Sequence, residues 1–505
     1  MKFLRLPDPL LSVLFEDEDI IAIDKPYGFN AHTNDSKIEH SQYIQDGLIE
    51  IYEKQLGRKL HIIHRLDQTT TGVMIFGKSV ESAKKYAEFF FNRQVKKTYW
   101  FITKSKSKAK NFLINKTIVH KAKDLDAETD LVFLKSSPHF ELWQANPHTG
   151  RNHQIRIHAE EAGIPILGDA KYNGATYAFL CLHNHRIEFP NGVVILSEPP
   201  VYFKNLNYLE DAGLARLFFE ADRRLRLFSS AEANQCYRLV HAKNNSAHSN
   251  FTVDNFGANL VLNYKDTFTD SDANRFAIFA KHLKKPIVYK PQAVHWVAQE
   301  NKMAYHIRTN SGQAVGLLLN QRLQRNWVLN NSKEKSVLNL YAYTSTYSLA
   351  AALGGAKEVI SVEASKNSLN WGRENFELNK VNHENLKFLL RDSLTFIEQC
   401  HSKNNKFDLI ICDAPSFMRR EKGFFKIEDD IEALLGACLK CLNQNGQLLF
   451  STNYDNFFID DIRNIILKVQ KSLKIEKLEI SCILPALDFE LPDEKTNLKS
   501  FLIQT

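Results

Sequence analysis

The sequence predicts a multidomain protein in three parts: an α+β unit on a mainly antiparallel sheet, a small mixed α+β unit, and an α/β unit with a doubly wound parallel sheet. Three observations carry this. At 505 residues the chain exceeds what one hydrophobic core organises, so it divides into domains. Over the first two-fifths, short apolar runs outnumber helical repeats. From Val337 onward, continuous apolar strands alternate with helical segments, the pattern of parallel strands buried on both faces.

In chain order, residues 12–26 read as a hairpin, two strands around an acidic turn, closed by Pro26 and Gly28. A helix is expected around 42–56 and another over 80–93, where Ala83, Tyr86, Ala87 and Phe90 are helically spaced. Between them, His64-Arg65-Leu66-Asp67-Gln68-Thr69-Thr70-Thr71-Gly72 separates two apolar runs, so an acid and a base are presented where a strand breaks and resumes. Alone, that pair is as well explained by a capped turn. Strands at 97–103, 129–134 and 140–145, a helix at 154–162 and a strand pair near 179–189 follow. Pro199 and Pro200 stop the unit, which is assigned residues 1–205. Residues 206–230 read as a helical connector, 231–312 as the small mixed domain, and 313–505 as the doubly wound domain. Ligands of such sheets sit beyond the carboxyl ends of the strands, which here carry Tyr343, Thr344, Glu363, Asp392 and Asp413.

Composition narrows the class. Apolar content of 44% with 24% charged residues is that of a soluble globular chain and excludes a low-complexity one. There is no apolar run long enough to span a bilayer, and residues 1–9 are too short and proline-rich for a signal peptide, so a cytoplasmic location without membrane contact is expected. Seven scattered cysteines argue against a disulfide framework. Only Cys438 and Cys441 have metal-ligand spacing. They fall in the helical pattern Ile431, Leu434, Leu435, Cys438, Leu442 and read as core, so no metal is expected.

The net charge of +7 permits a nucleic-acid partner without requiring one. Between Arg93 and Lys123 stand ten Lys and Arg and no acid, interleaved with Tyr99, Trp100, Phe101 and Phe112. This is either a solvated basic face or a strip that tracks phosphates, whose binding would weaken steeply with salt. Arg93, Lys96 and Lys97, with Arg151 and His153 downstream, are the candidate RNA contacts.

Several motifs add chemistry: Asp24-Lys25-Pro26 with Gly28, His64-Arg65-Leu66-Asp67 with Thr70 and Gly72, Lys97-Thr98-Tyr99, Gly150-Arg151-Asn152-His153-Gln154-Ile155-Arg156-Ile157-His158, Gly168-Asp169-Ala170-Lys171-Tyr172 and Leu182-His183. Together, over about residues 12–205, they resemble the RluA family of pseudouridine synthases. The resemblance implies Asp67 as catalytic aspartate, Tyr99 stacking on the target base, Arg156 paired with Asp67, and Arg65 entering the space a flipped nucleotide vacates; no cofactor is implied. The chemistry agrees. Breaking a uridine N-glycosidic bond develops positive charge on the ribose, which a carboxylate can meet as nucleophile, charge stabiliser or base. Such a carboxylate stays ionised in a desolvated pocket only beside a cation, and a stacked base reaches it only when extruded. Thr71 departs from the family's usual Ser but keeps the hydroxyl.

A second set comprises Gly316-Leu317-Leu318-Leu319-Asn320-Gln321-Arg322, Leu338-Asn339-Leu340-Tyr341-Ala342-Tyr343-Thr344, Gly354-Gly355-Ala356, Glu363-Ala364-Ser365, Asn375-Phe376-Glu377-Leu378-Asn379, Asp392, Asp413-Ala414-Pro415-Ser416-Phe417 and Phe450-Ser451. In order and spacing these resemble class I S-adenosylmethionine-dependent methyltransferases, most closely bacterial ribosomal-RNA enzymes with a small mixed domain ahead of a Rossmann-like one. The resemblance implies S-adenosylmethionine held among Gln321, Arg322, Tyr343, Thr344, Glu363, Asp392 and Asp413. Glu363 would meet the ribose, Asp392 the adenine amine, and Asp413 would lie where methyl donor and target base meet. Three stretches depart. Ser345-Thr346 replace glycines that let backbone approach the cofactor, Asn320 replaces Asp, and Ala414 replaces Pro. A working methyltransferase and a lapsed one retained for RNA docking both remain open.

Cytosine C5 methylation needs a thiolate, but Thr452 and Asn453 follow Ser451 where relatives that do it carry Cys, and Cys412 reads as core. A base nitrogen, such as guanine's, is the expected target. The expectation is a bifunctional enzyme acting on ribosomal or transfer RNA, of unread oligomeric state.

Overall fold

The computed structural model describes residues 1–33, 46–120, 123–228, 235–242, 251–264, 268–290, 292–311, 314–381, 384–420, 423–491 and 496–505. Its first sheet orders the strands Phe15–Glu16, Ile20–Lys25, Thr71–Gly77, Leu182–Glu188, Lys96–Thr103, Glu141–Pro147, Glu128–Ser136 and Asn111–Asn115. The neighbours on this path are antiparallel except Thr71–Gly77 with Leu182–Glu188, which run parallel. Gly72 makes that contact possible: at φ +111 it lies so close to the Asn184 backbone that a Cβ would enter its carbonyl. The helix expected over 42–56 is described as Leu48–Leu56; residues 42–45 of that expectation lie outside the described residues.

The second sheet orders Leu386–Leu390, Glu358–Glu363, Ser336–Leu340, Phe407–Ala414, Leu442–Thr452, Lys499–Gln504, Glu479–Ile483 and Lys2–Leu4. The first five are mutually parallel, and Lys499–Gln504 is antiparallel to both its neighbours. The doubly wound architecture follows, with the expected acids at the carboxyl ends of its strands.

The parts are interlocked in three ways that the sequence did not show. Residues 2–4 do not belong to the first unit: they pair in parallel with Glu479–Ile483, covering an edge that would otherwise expose unpaired backbone. The connector helix Ala212–Leu227 is no free tether, because Leu214, Leu217, Phe218, Arg223, Arg224 and Arg226 are all buried. Nor does the small domain keep its own core. Leu239, Val253 and Phe279 from it share one apolar cluster with Ile21 and Phe76 of the first unit and Phe218 of the helix. Its Cys236 and Phe256 share another with Leu6, Val337 and Leu449.

One buried ionic node ties these parts. Fully buried Arg322 donates to Asp8 at 2.7 Å and to Asp488 at 2.7 Å. Arg224 of the connector donates to the Asp488 carbonyl at 3.0 Å, and the Arg238 backbone N–H donates to the Asp488 carboxylate at 2.8 Å. Arg322 was expected at the cofactor; its guanidinium is instead consumed by two buried carboxylates, as a cation removed from water requires. No helix among the described residues is long and apolar enough to cross a membrane.

Candidate active sites

The loop carrying Asp67 is fixed from beneath. Fully buried Lys25 donates from Nζ to the carbonyls of Gln68 and Thr70, each at 2.9 Å, and of Pro26 at 3.2 Å. Burial pushes its ammonium down to about 7. Gly28 and Gln68 exchange two hydrogen bonds of 2.9 Å across the same turn. His64 is part of this scaffold: its ring stacks on Phe90 at 5.0 Å and accepts the Ile75 N–H at 3.2 Å. Burial lowers its pKa to about 3, leaving it neutral.

Opposite the loop, the helix Gln154–Glu161 delivers Arg156, whose Nη1 lies 3.3 Å from Asp67 Oδ2. The same guanidinium is held by Asp169, through Nε at 2.7 Å and Nη2 at 2.8 Å. His153, at the start of this helix with φ +58, places Nε2 3.7 Å from Asp67, while its Nδ1 meets the Tyr172 hydroxyl at 2.8 Å. The Tyr172 ring lies 5.1 Å from the Arg156 guanidinium carbon. A cavity of about 840 Å³ opens over Asp67, lined by Arg65, Arg93, Lys97, Tyr99, Arg151, His153 and Arg156 among others. Burial, and then the Asp67 charge, push the Tyr99 phenol well above its usual range, so it is neutral beside the carboxylate.

Lys96 is the exception among the expected contacts. Strand alternation turns it away from Lys97, and it pairs with Glu188 at 3.0 Å. Lys97 donates to the Thr149 carbonyl at 2.8 Å, and burial lowers its pKa to about 8. The basic strip is likewise not one continuous track. Lys106 is tied to the Ser137 carbonyl at 2.7 Å, Lys110 approaches Glu141 at 3.6 Å, and Lys116 pairs with Glu161; Lys121 lies outside the described residues. Sequence reasoning assigned no role to Lys25 or Asp169, although both stand in motifs it quoted, and took His153 for an RNA contact only.

In the second unit the expected residues other than Arg322 meet at the carboxyl ends of the parallel strands. The Glu363 carboxylate accepts the backbone N–H groups of Tyr343 and Ser365, each at 2.8 Å, and burial raises its pKa. Asp413 is pushed up to about 7 by burial, while Gln321 Nε2 donates to it at 2.8 Å; Tyr347 holds the other end of the Gln321 amide. The Asp392 carboxylate caps the helix Ser393–Ser402 and is clamped by Arg420 at 3.0 Å. Its oxygens are therefore already engaged. The Thr344 hydroxyl is spent on the Gly316 carbonyl at 2.6 Å. Cys412 is fully buried, with its thiol held well above the usual range by burial, and Cys438 and Cys441 are packed in the core.

The departing Ser345 has φ +56, and its buried hydroxyl has no hydrogen-bond partner. That hydroxyl packs towards Gly372; it is the Glu363 carboxylate, at the end of its strand beside the Tyr341–Ser345 turn, whose chemistry fits the ribose of a nucleoside-bearing cofactor.

A carboxylate in a cation-lined cleft, joined to a doubly wound sheet with acids at its strand ends, defines a protein of two enzyme domains. Residues 19–161 match the family model described as RNA pseudouridylate synthase, and residues 288–501 match that of S-adenosylmethionine-dependent methyltransferase. The chain thus carries a pseudouridylate synthase domain in its amino-terminal part and a methyltransferase domain in its carboxy-terminal part. Named relatives include the ribosomal RNA large subunit methyltransferase K/L of Pseudoalteromonas translucida, 39% identical over 150 residues, covering 29% of this chain and 21% of that protein. That of Shewanella sediminis is 43% identical over 145 residues, covering 28% and 20%. The chain thus matches about a fifth of the length of these relatives. The solved structure of SMU.776 complexed with SAH is similar in fold, with TM-score 0.51 at 24% identity, covering 65% of this chain and 88% of that one.

Proposed function

We propose that this chain isomerises uridine to pseudouridine in RNA at Asp67 and methylates a ribosomal-RNA base at Asp413. The carrying observation is the Asp67–Arg156 contact of 3.3 Å inside a cavity where Asp67 is the one acid among the described lining residues. When the N-glycosidic bond of an extruded uridine breaks, Asp67 meets the positive charge on the ribose, by attack at the anomeric carbon or by taking a sugar proton. Arg156, itself held by Asp169, stays paired with it until then. The base then rejoins through C5, and the C5 proton leaves. Arg65, exposed at the rim, fills the place of the extruded nucleotide.

In the second site Glu363 would hold the ribose of S-adenosylmethionine, and the loop from Tyr341 to Ser345 would pass beside it. The bound cofactor supplies an electrophilic methyl group. Asp413 accepts hydrogens of a target amine and aims its nitrogen lone pair at that group. With no thiolate at Cys412, a base nitrogen such as guanine's is the target rather than cytosine C5. The strained Ser345 favours a second reading, a lapsed methyltransferase that serves as an RNA-binding module. A cytoplasmic location fits either.

The test uses the full chain and RNA carrying tritium at uridine C5. Wild type should release tritium and Asp67→Asn should not, while binding the RNA with similar affinity. Release by Asp67→Asn at the wild-type rate would refute the assignment.

A further inference from the structure

Phe91 is the most exposed large apolar side chain among the described residues, at 87%. It ends the helix Val80–Phe91. Phe90 holds that helix end down, packed edge-on against Phe189 at 5.8 Å and stacked on His64 at 5.0 Å. The next side chain, about 100° round the helix, is thereby sent outward. Directly after it the chain turns sharply, with Arg93 at φ +58. Phe91 thus stands on the rim of the Asp67 cavity, together with Arg65, Arg93, Lys97 and Arg151.

A free phenyl ring is costly to keep in water, and this one shares the wall of its cavity with Arg65, Arg93, Lys97 and Arg151. That combination suits a polyanion whose units carry flat faces. A base inside a duplex has both faces covered; only an unpaired one offers a face to an aromatic ring. We propose that Phe91 is a stacking platform for an unpaired base of single-stranded RNA, the one beside the nucleotide that enters the Asp67 cavity, with the surrounding Arg and Lys side chains on its phosphates. This rests on the pseudouridylate synthase reading and adds to it a requirement for local single strandedness.

The test measures binding by the full chain with Asp67→Asn, so that the RNA is not consumed. The probe is a fluorescein-labelled oligouridylate of about twelve nucleotides, within the range such sites cover. Phe91→Ala should weaken binding about 5- to 160-fold, the range that removing one stacked base gives. Phe91→Trp should bind like the parent, and Phe91→Leu, equally apolar but without a π face, like Phe91→Ala. The salt dependence of Phe91→Ala should stay that of the parent, whereas Arg93→Gln should reduce the slope by about one. Unchanged affinity in Phe91→Ala, full affinity in Phe91→Leu, or no oligouridylate binding by the parent would each overturn the proposal; affinity intact in Phe91→Leu would point to an apolar protein partner instead. Tritium release is read separately, so a chain that binds through Phe91 but releases none keeps the platform and loses the catalytic reading.

Discussion

Asp169 grips the Arg156 guanidinium through two nitrogens, at 2.7 and 2.8 Å, while Asp67 receives only a third at 3.3 Å. The side chain of Asp169 is fully buried, so it acts from behind the cavity as a positioning residue. The tighter pair fixes the cation; the looser one leaves Asp67 free to react.

Asp169→Asn removes one charge from the clamp and lets Arg156 drift. Pseudouridine formation should fall by about 10- to 100-fold, as small misplacements of a catalytic group do, with the loss mostly in kcat. Asp67→Asn should cost more in the same tritium-release assay. Equal rates for wild type and Asp169→Asn would remove the positioning role.

Arg226 of the connector helix donates to Asp24 at 2.7 Å and to Asp222 at 2.7 Å, all three largely buried. Asp24 adjoins Lys25 and hence the Asp67 turn. Arg226→Met leaves two buried carboxylates without their cation and should cost about 3–5 kcal/mol of stability, read by chemical denaturation. Adding Asp24→Asn and Asp222→Asn should restore most of it. A connector that merely joined two units would show neither effect.

Methyl transfer should depend on pH through Asp413. Its ordinary value of 3.8 is raised to about 7, so the carboxyl is protonated below that pH and becomes the stronger, ionised acceptor above it. Activity with labelled cofactor should therefore rise through about pH 7 and then level. Asp413→Asn should lack this limb. The sign carries over to stability: a carboxyl raised in the folded state favours folding most at pH below 3.8 and loses that contribution as pH climbs through 7.

Ser345→Gly removes a Cβ from a left-handed residue, at φ +56, together with an orphaned hydroxyl. Stability should rise by about 0.5–1 kcal/mol, measured as a higher melting temperature. Calorimetry of the full chain with S-adenosylmethionine then separates the two readings of this domain. Binding by wild type supports the working enzyme; binding that emerges only in Ser345→Gly supports the lapsed one.

The parallel sheet was legible because its strands are continuous apolar runs, and the Asp67 loop because a charged stretch divides two of them. Contacts between distant positions were not. Arg156 reaches Asp67 across 89 residues, and Arg322 reaches Asp8 across 314, separations that no local pattern encodes. Arg322 misled for a physical reason: a charged residue beside a cofactor motif reads as exposed unless its buried partners are known. Lys96 was readable in principle, since strand alternation admits only one of Lys96 and Lys97 to the cavity. Lys2–Leu4 is too short to carry a periodicity at all.

The pairing of that strand with Glu479–Ile483 sets an order of events during synthesis. Residues 2–4 are made about 480 residues ahead of the strand they pair with. Because closure entropy grows only logarithmically with loop length, the wait is harder on kinetics than on stability. The early strand must stay uncommitted while the pseudouridylate synthase domain folds, and the methyltransferase sheet acquires it only when Glu479–Ile483 exists. The Arg322 node is likewise complete only when Asp488 has joined Asp8 on it. A substitution that blocks Lys2–Leu4 from pairing would therefore be felt in a domain hundreds of residues away in sequence.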